Sequence, residues 1–150
     1  LVAPLGADVA ACVGSRTCIG VGTGAELSSA DEMDVSGMPI LLVNPRKSVP
    51  TGPIFKAWDQ VDRGALRPSG SVRDALTEAR NDMEPAAISL CPEILDVLTA
   101  LRAAAPWMVR MSGSGGTCFG LFDSVLERDA AAAYFADHHP DWWRCAGELR

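Results

Sequence analysis

Three short segments of this chain carry residue types that could do chemistry. The first is Leu5–Val9 (LGADV). Asp8 stands alone in an apolar stretch, with no Lys or Arg before Arg16. An unpaired carboxylate is not buried cheaply, so it must find a cation or hydrogen-bond donors. The plain reading is a helix N-cap or turn aspartate, common after Gly-Ala. The functional reading is a general base or electrostatic partner whose cation comes from another segment. The second segment is Arg110–Phe122 (RMSGSGGTCFGLF). A hairpin turn explains its glycines. Yet Ser112, Gly113, Ser114, Gly115 and Gly116 are richer in small residues than a tight turn needs. Successive glycines let backbone N–H groups approach an anion or phosphate. It is not a Walker loop, because no Gly-Lys-Ser/Thr follows and a strand comes next. The third is Asn44–Phe55 (NPRKSVPTGPIF), a strand-to-helix loop. There Phe55 is either a core residue or an aromatic face for a base.

The bulk figures narrow the setting for these segments. The chain has 150 residues, 48% of them hydrophobic and 21% charged, with a net charge of −6. That apolar content is too high for disorder. The acidic balance leaves no basic stripe for nucleic acid. Apolar runs are short and broken by Gly, Pro or charge, so no membrane span is expected. No basic region precedes the apolar start at Leu1, so no signal peptide is read. The start itself reads as the middle of an apolar structure, as in a chain cut from something longer. The five cysteines (Cys12, Cys18, Cys91, Cys118 and Cys145) are odd in number and lack CxxC spacing. They read as buried small hydrophobes in a reducing cytosol rather than a disulfide or zinc framework. His138–His139, adjacent on a helix end, point in different directions and make a poor metal pair. No metal site is expected.

The elements that must position the three segments emerge from pattern. Val9–Val13 and Thr17–Val21 read as strands, with Gly20, Gly22 and Gly24 breaking up the second and the stretch after it. Residues 28–37 are small, polar and acidic, and read as a linker. Pro39–Asn44 (PILLVN) is a continuous apolar run, as in a buried strand. Gly52–Trp58 reads as a brief helix and residues 59–71 as a loop. A helix capped by Ser71 runs to about Ala79, with Asp74 completing a weak capping box. Glu84–Leu90 is helical, and Pro92 fits the first turn of the next helix. There Ile94, Leu98, Leu101 and Ala105 recur at helical spacing. Trp107–Met111 and Thr117–Phe122 are strands. Ser124 with Glu127 caps an Ala-rich helix to about Asp137, and Trp142–Ala146 is a last strand. After residue 38 the order is strand, helices, strand, strand, helix, strand. This predicts an α+β fold, a ferredoxin-like β-α-β-β-α-β two-layer domain.

LGADV, NP…SVPTGPIF, RNDMEPAA (Arg80–Ala87) and MSGSGGTCFGLF, in this order, resemble the C-terminal half of GHMP-type small-molecule kinases. The resemblance runs from about Leu5 to Phe122. It implies that residues 1–37 end an N-terminal, ATP-binding domain and that residues 38–150 form the C-terminal domain. It implies Asp8 as catalytic base at the acceptor hydroxyl and Ser112–Gly116 as the third loop, near phosphate transfer. Thr51 and Phe55 fall on the PT…F string beside a cytidine-binding region. Together with NDMEP these motifs imply a small-molecule substrate, a cytidine-diphosphate-linked methylerythritol phosphorylated in non-mevalonate isoprenoid synthesis. Asn81–Asp82 matches a pair with a structural role. Ala10 and Arg46 stand where the family usually has Pro and often has Gly. The family's N-terminal Lys and Gly-Leu-Gly-Gly-Ser-Ser loop are not among these residues. ATP and Mg²⁺ would therefore be held mainly by the missing N-terminal half of the same protein, in the cytoplasm. Two other readings stay open: a kinase of another small alcohol, and a non-catalytic ferredoxin-like ligand-binding or pairing module.

Overall fold

A computed structural model of the chain describes residues 9–22, 24, 26–30, 35–66 and 70–150. Its main body is a four-stranded antiparallel sheet with helices on one face. Strand β3 (Pro39–Asn44) lies inside the sheet, between β5 (Cys118–Leu121) and β6 (Trp143–Glu148), and β4 (Met108–Met111) pairs with the outer side of β5. The order β4-β5-β3-β6 is the one a split β-α-β-β-α-β chain produces, as its sequence pattern predicts.

Strand alternation explains which face takes the helices. Leu41 and Val43 are fully buried beneath them, opposite Gly120 and Cys118 across the β3–β5 ladder. Above lie α4 (Glu84–Leu90), α5 (Glu93–Ala103) and α6 (Val125–His138). In α5, Ile94, Val97, Leu98 and Leu101 are all at 0% exposure and form the centre of the core. Phe135 and Ala131 anchor α6 to the same cluster. Burying one such aliphatic side chain contributes about 1.5–3 kcal/mol, so this stripe holds the two layers together.

The two serine caps are complete. Ser124 Oγ accepts from Glu127 N–H, and the Glu127 carboxylate accepts from Ser124 N–H. At α3 (Val72–Glu78), Ser71 and Asp74 make the same reciprocal pair, so the box that looked weak in sequence is fully formed.

Several sequence expectations need correction. Val9–Val13 is not a strand: α1 spans Val9–Gly14. Only its ends are β-branched, while Ala10–Ala11 between them favour helix. The expected linker at 28–37 begins too early, because β2 (Glu26–Ser29) pairs with β1 (Cys18–Val21) in a hairpin. Its ELSS sequence is exposed throughout and shows no alternation, so only pairing with β1 makes it a strand. The cysteines are not uniformly buried: Cys91 and Cys118 are, Cys18 is intermediate, and Cys12 and Cys145 are exposed. Among the described residues no helix is long and apolar enough to cross a membrane.

The second face of the sheet carries Ile40, Leu42, Met108, Arg110, Phe119 and Leu121. A cavity of about 390 Å³ separates it from the β1–β2 hairpin. Arg110 is the one charged side chain in that row.

Candidate functional site: a cleft between the PT…F helix and the Gly-rich loop

The β4–β5 connection, Ser112–Thr117, is pinned from both sides. Ser112 N–H donates to the Thr117 carbonyl at 2.9 Å, and Gly115 N–H donates to the Ser112 carbonyl at 3.0 Å. Asn81 grips the outside of the turn. Its Nδ2 donates to the carbonyls of Met111 at 2.9 Å and Gly113 at 2.8 Å, and its Oδ1 accepts from Met83 N–H at 3.0 Å. One carboxamide thereby ties the start of the loop to the entry of α4. The Glu84 carboxylate adds an acceptor for Met111 N–H at 3.3 Å and lies 4.0 Å from Arg102.

The glycines are required by geometry. Gly115 has φ +107°, and a Cβ there would sit 2.7 Å from Met111 Sδ and 3.3 Å from Ile94 Cδ1. Gly116 has φ +79°, and its Cβ would lie 3.2 Å from Asn44 Nδ2. That Asn44 nitrogen donates to Thr117 Oγ1 at 3.0 Å, while its Oδ1 accepts from Arg46 N–H at 2.7 Å. The NP segment after β3 is thus bonded to the far end of the same loop. Among the described residues the amides of Gly113, Ser114 and Gly116 meet no acceptor. Gly113, Gly115 and Gly116 all have positive φ, and unpaired amides in such a turn suit an anion.

Helix α2 (Thr51–Ala57) supplies the opposite wall. Ile54 is buried and fixes the helix to the core, while Phe55, one position on, is 52% exposed. Phe55 is therefore not a core residue. Thr51 Oγ1 lies 3.1 Å from Ser114 Oγ, a direct contact between α2 and the loop tip. Behind that contact is a cleft of about 570 Å³ whose walls include Phe55, Arg80, Arg110, Ser112, Gly113 and Phe119. Cavities of a few hundred Å³ suit small organic ligands.

The structure therefore brings Thr51, Phe55, Ser112, Gly113 and Ser114 to one cleft, with Gly115 and Gly116 shaping the loop behind it. Asp8 lies outside the described residues. Sequence reasoning missed three contributors. Asn81 had only an unspecified structural role, and Arg80 and Arg110 had none. The available signal was Arg110 itself, a lone charge between Met108 and Ser112 on an otherwise apolar strand face. Its Nη2 donates to the Leu76 carbonyl at 3.0 Å, and burial draws its pKa below the ordinary arginine value, opposed by the Glu84 charge. Among the described residues no group of three His, Cys, Asp or Glu side chains could hold a metal ion.

Comparison with known proteins agrees with this geometry. Residues 65–141 match the family described as GHMP kinases C terminal. A 4-diphosphocytidyl-2-C-methyl-D-erythritol kinase from Sphingopyxis alaskensis is 53% identical over 150 residues, covering 100% of this chain and 53% of the relative. Enzymes of the same name from Novosphingobium aromaticivorans and Caulobacter vibrioides are 53% and 39% identical. These two matches cover 99% and 97% of this chain, and 50% and 54% of the relatives. The chain spans about half the length of the curated relatives it matches. A crystal structure of 4-(cytidine 5'-diphospho)-2C-methyl-D-erythritol kinase has the same fold, with a TM-score of 0.71 at 24% identity. That match covers 96% of this chain and 54% of the other. With its βαββαβ sheet and its Gly-rich turn between β4 and β5, the chain belongs to the GHMP kinase C-terminal family.

Proposed function

We propose that this chain is the acceptor-binding half of a 4-diphosphocytidyl-2-C-methyl-D-erythritol kinase, which moves the γ-phosphoryl group of ATP to the 2-hydroxyl of that alcohol. The observation that carries the reading is the Thr51–Ser114 contact, which joins the PT…F helix to the Gly-rich loop at the mouth of one cleft. Phe55 offers an exposed ring there for the cytosine to stack on. Thr51 supplies a hydroxyl beside it. The free amides of Gly113 and Ser114, on the cleft wall, receive phosphate oxygens near the transfer site. Asp8 orients the acceptor hydroxyl and takes its proton within about 2.6–3.2 Å. The hydroxyl oxygen then bonds to the γ-phosphorus as the bond to the β-phosphate oxygen breaks, which releases ADP.

Residues 1–37 close the ATP-binding domain under this reading, and residues 38–150 are the acceptor domain of a cytoplasmic enzyme. ATP and Mg²⁺ are held by the segment that precedes this one in the kinase. Phosphoryl transfer rests on positioning and on cations at the developing charge, and this chain alone lacks the phosphate loop and its lysine. ADP release, followed with a coupled enzyme, tests the reading. The full-length kinase should turn over only when the cytidyl alcohol is present, and the 150-residue chain should not turn over. Equal turnover with galactose, mevalonate or homoserine would overturn the assignment, and robust turnover by the isolated chain would overturn the division of labour.

A further inference from the structure

The cleft is electrostatically unlike the rest of the chain. The protein carries a net charge of −6, yet the walls of the 570 Å³ cleft hold two arginines and, among the described residues, no carboxylate. The two arginines differ. Arg80 is engaged: its Nε donates to Asp82 Oδ1 at 2.9 Å and its Nη2 to the Gly64 carbonyl at 3.0 Å. Arg110 sits on the edge strand β4 and is partly buried, and among the described residues its guanidinium has a single bond, to the Leu76 carbonyl. It forms no ion pair with any described acid. Glu84 acts on it only through space, being occupied with Met111 N–H and Arg102. A guanidinium has five N–H donors, so most of Arg110's have no partner among the described residues. Holding a charge partly out of water without a counter-charge is costly. An anion in the cleft removes that cost.

We infer that Arg110, backed by Arg80, is the diphosphate subsite of the acceptor ligand. The base is read by Phe55, and the phosphates attached to its ribose lie against the Arg110 fork and the Ser112 and Ser114 hydroxyls. Two oxygens of one phosphate match the paired N–H groups of a guanidinium. The inference rests on the cytidyl reading of the cleft, but it concerns a different part of the ligand. Arg110 thereby becomes a specificity residue, separating a nucleoside diphosphate from the bare nucleoside.

Calorimetric binding to the full-length protein tests this with three probes: cytidine, cytidine-diphosphate-linked methylerythritol and inorganic pyrophosphate. Arg110→Met should weaken the diphosphate ligand roughly ten- to hundredfold, the scale of hydrogen bonds to charged groups, and leave cytidine within twofold. Arg110→Lys should recover part of the loss. Equal weakening of cytidine and the diphosphate ligand, or no weakening of either, overturns the inference. The Arg110 Nε–H signal of the wild-type protein keeps the test independent of variant folding. It should move on adding pyrophosphate or the diphosphate ligand and stay still with cytidine. If neither cytidyl ligand binds, the cytidyl reading fails by itself, and the pyrophosphate titration alone decides the subsite: a still Arg110 signal overturns it.

Discussion

Asn81 is the residue on which the shape of the Gly-rich loop most depends. Its carboxamide makes three bonds, two donated to the Met111 and Gly113 carbonyls and one accepted from Met83 N–H. A net 0.5–1.5 kcal/mol per bond gives a gross loss of about 1.5–4.5 kcal/mol for Asn81→Ala. Water can replace the partner at Gly113, where the contact is exposed, but less easily at the part-buried Met111 contact. The expected loss is therefore about 2–3 kcal/mol. Asn81→Asp sharpens the test because it keeps the size and the acceptor for Met83 N–H. It replaces a two-fold donor by an oxygen facing two carbonyl oxygens. Asn81→Asp should cost at least as much as Asn81→Ala at neutral pH, and part of the loss should return near pH 4, where a protonated carboxyl donates again. Urea unfolding of both variants at pH 7 and pH 4 measures this, with the KM for the acceptor alcohol as the second readout. If Asn81→Asp lies within about 0.5 kcal/mol of wild type at pH 7, the usual range of an inert surface change, the clamp is not what holds the loop.

Other perturbations separate the parts of the account. Gly115→Ala should destabilise the fold by about 2–4 kcal/mol, combining positive-φ strain with overpacking against Met111 and Ile94, whereas Gly113→Ala, with open space around its Cβ, should cost only about 1 kcal/mol; equal losses in thermal unfolding would contradict the packing argument. Arg63 binds Asp59 through both carboxylate oxygens and lowers its pKa from 3.8 to about 2. The folded value is the depressed one, so this pair's contribution to stability is present above pH 4 and is lost as pH falls towards 2; an Asp59 carboxyl titration by NMR should show the low midpoint, and Arg63→Ala should raise it only part of the way to the ordinary value, because Val61 N–H still donates to the carboxylate. Burial pushes the Cys118 thiol up to about 12, while Cys145 is exposed. A thiol reagent at pH 8 should label Cys145 quickly and leave Cys118 intact until unfolding, and labelling at matched rates would contradict the burial.

How much of this was legible beforehand depends on the range of the interactions. The strand at Pro39–Asn44, the helix carrying Ile94 and Leu98, and the Ser124 cap are written locally, in apolar runs, 3.6-residue spacing and a Ser-x-x-Glu signature. The β1–β2 hairpin was not, because ELSS has no period of its own and becomes a strand only through its partner. Val9–Val13 misled for the opposite reason: two valines outweighed the alanines between them. In the cleft, Thr51, Phe55 and the Ser/Gly loop stood out as types in an order. Their meeting did not, since Thr51 and Ser114 lie 63 residues apart. Asn81 and Arg110 were hidden most deeply. Each acts through backbone carbonyls of a distant element, and a backbone carbonyl leaves no trace in residue identity.

On the proposed reading, the exposed ring of Phe55 is the floor on which a cytosine lies. The most direct measurement is the KM of the full-length kinase for the cytidyl alcohol and for ATP, in wild type and Phe55→Ala. Loss of one base–aromatic stack, about 1–3 kcal/mol, predicts a rise of roughly 5- to 150-fold in the KM for the alcohol with the KM for ATP unchanged. An unchanged KM for the alcohol, or an equal rise for both substrates, would contradict it.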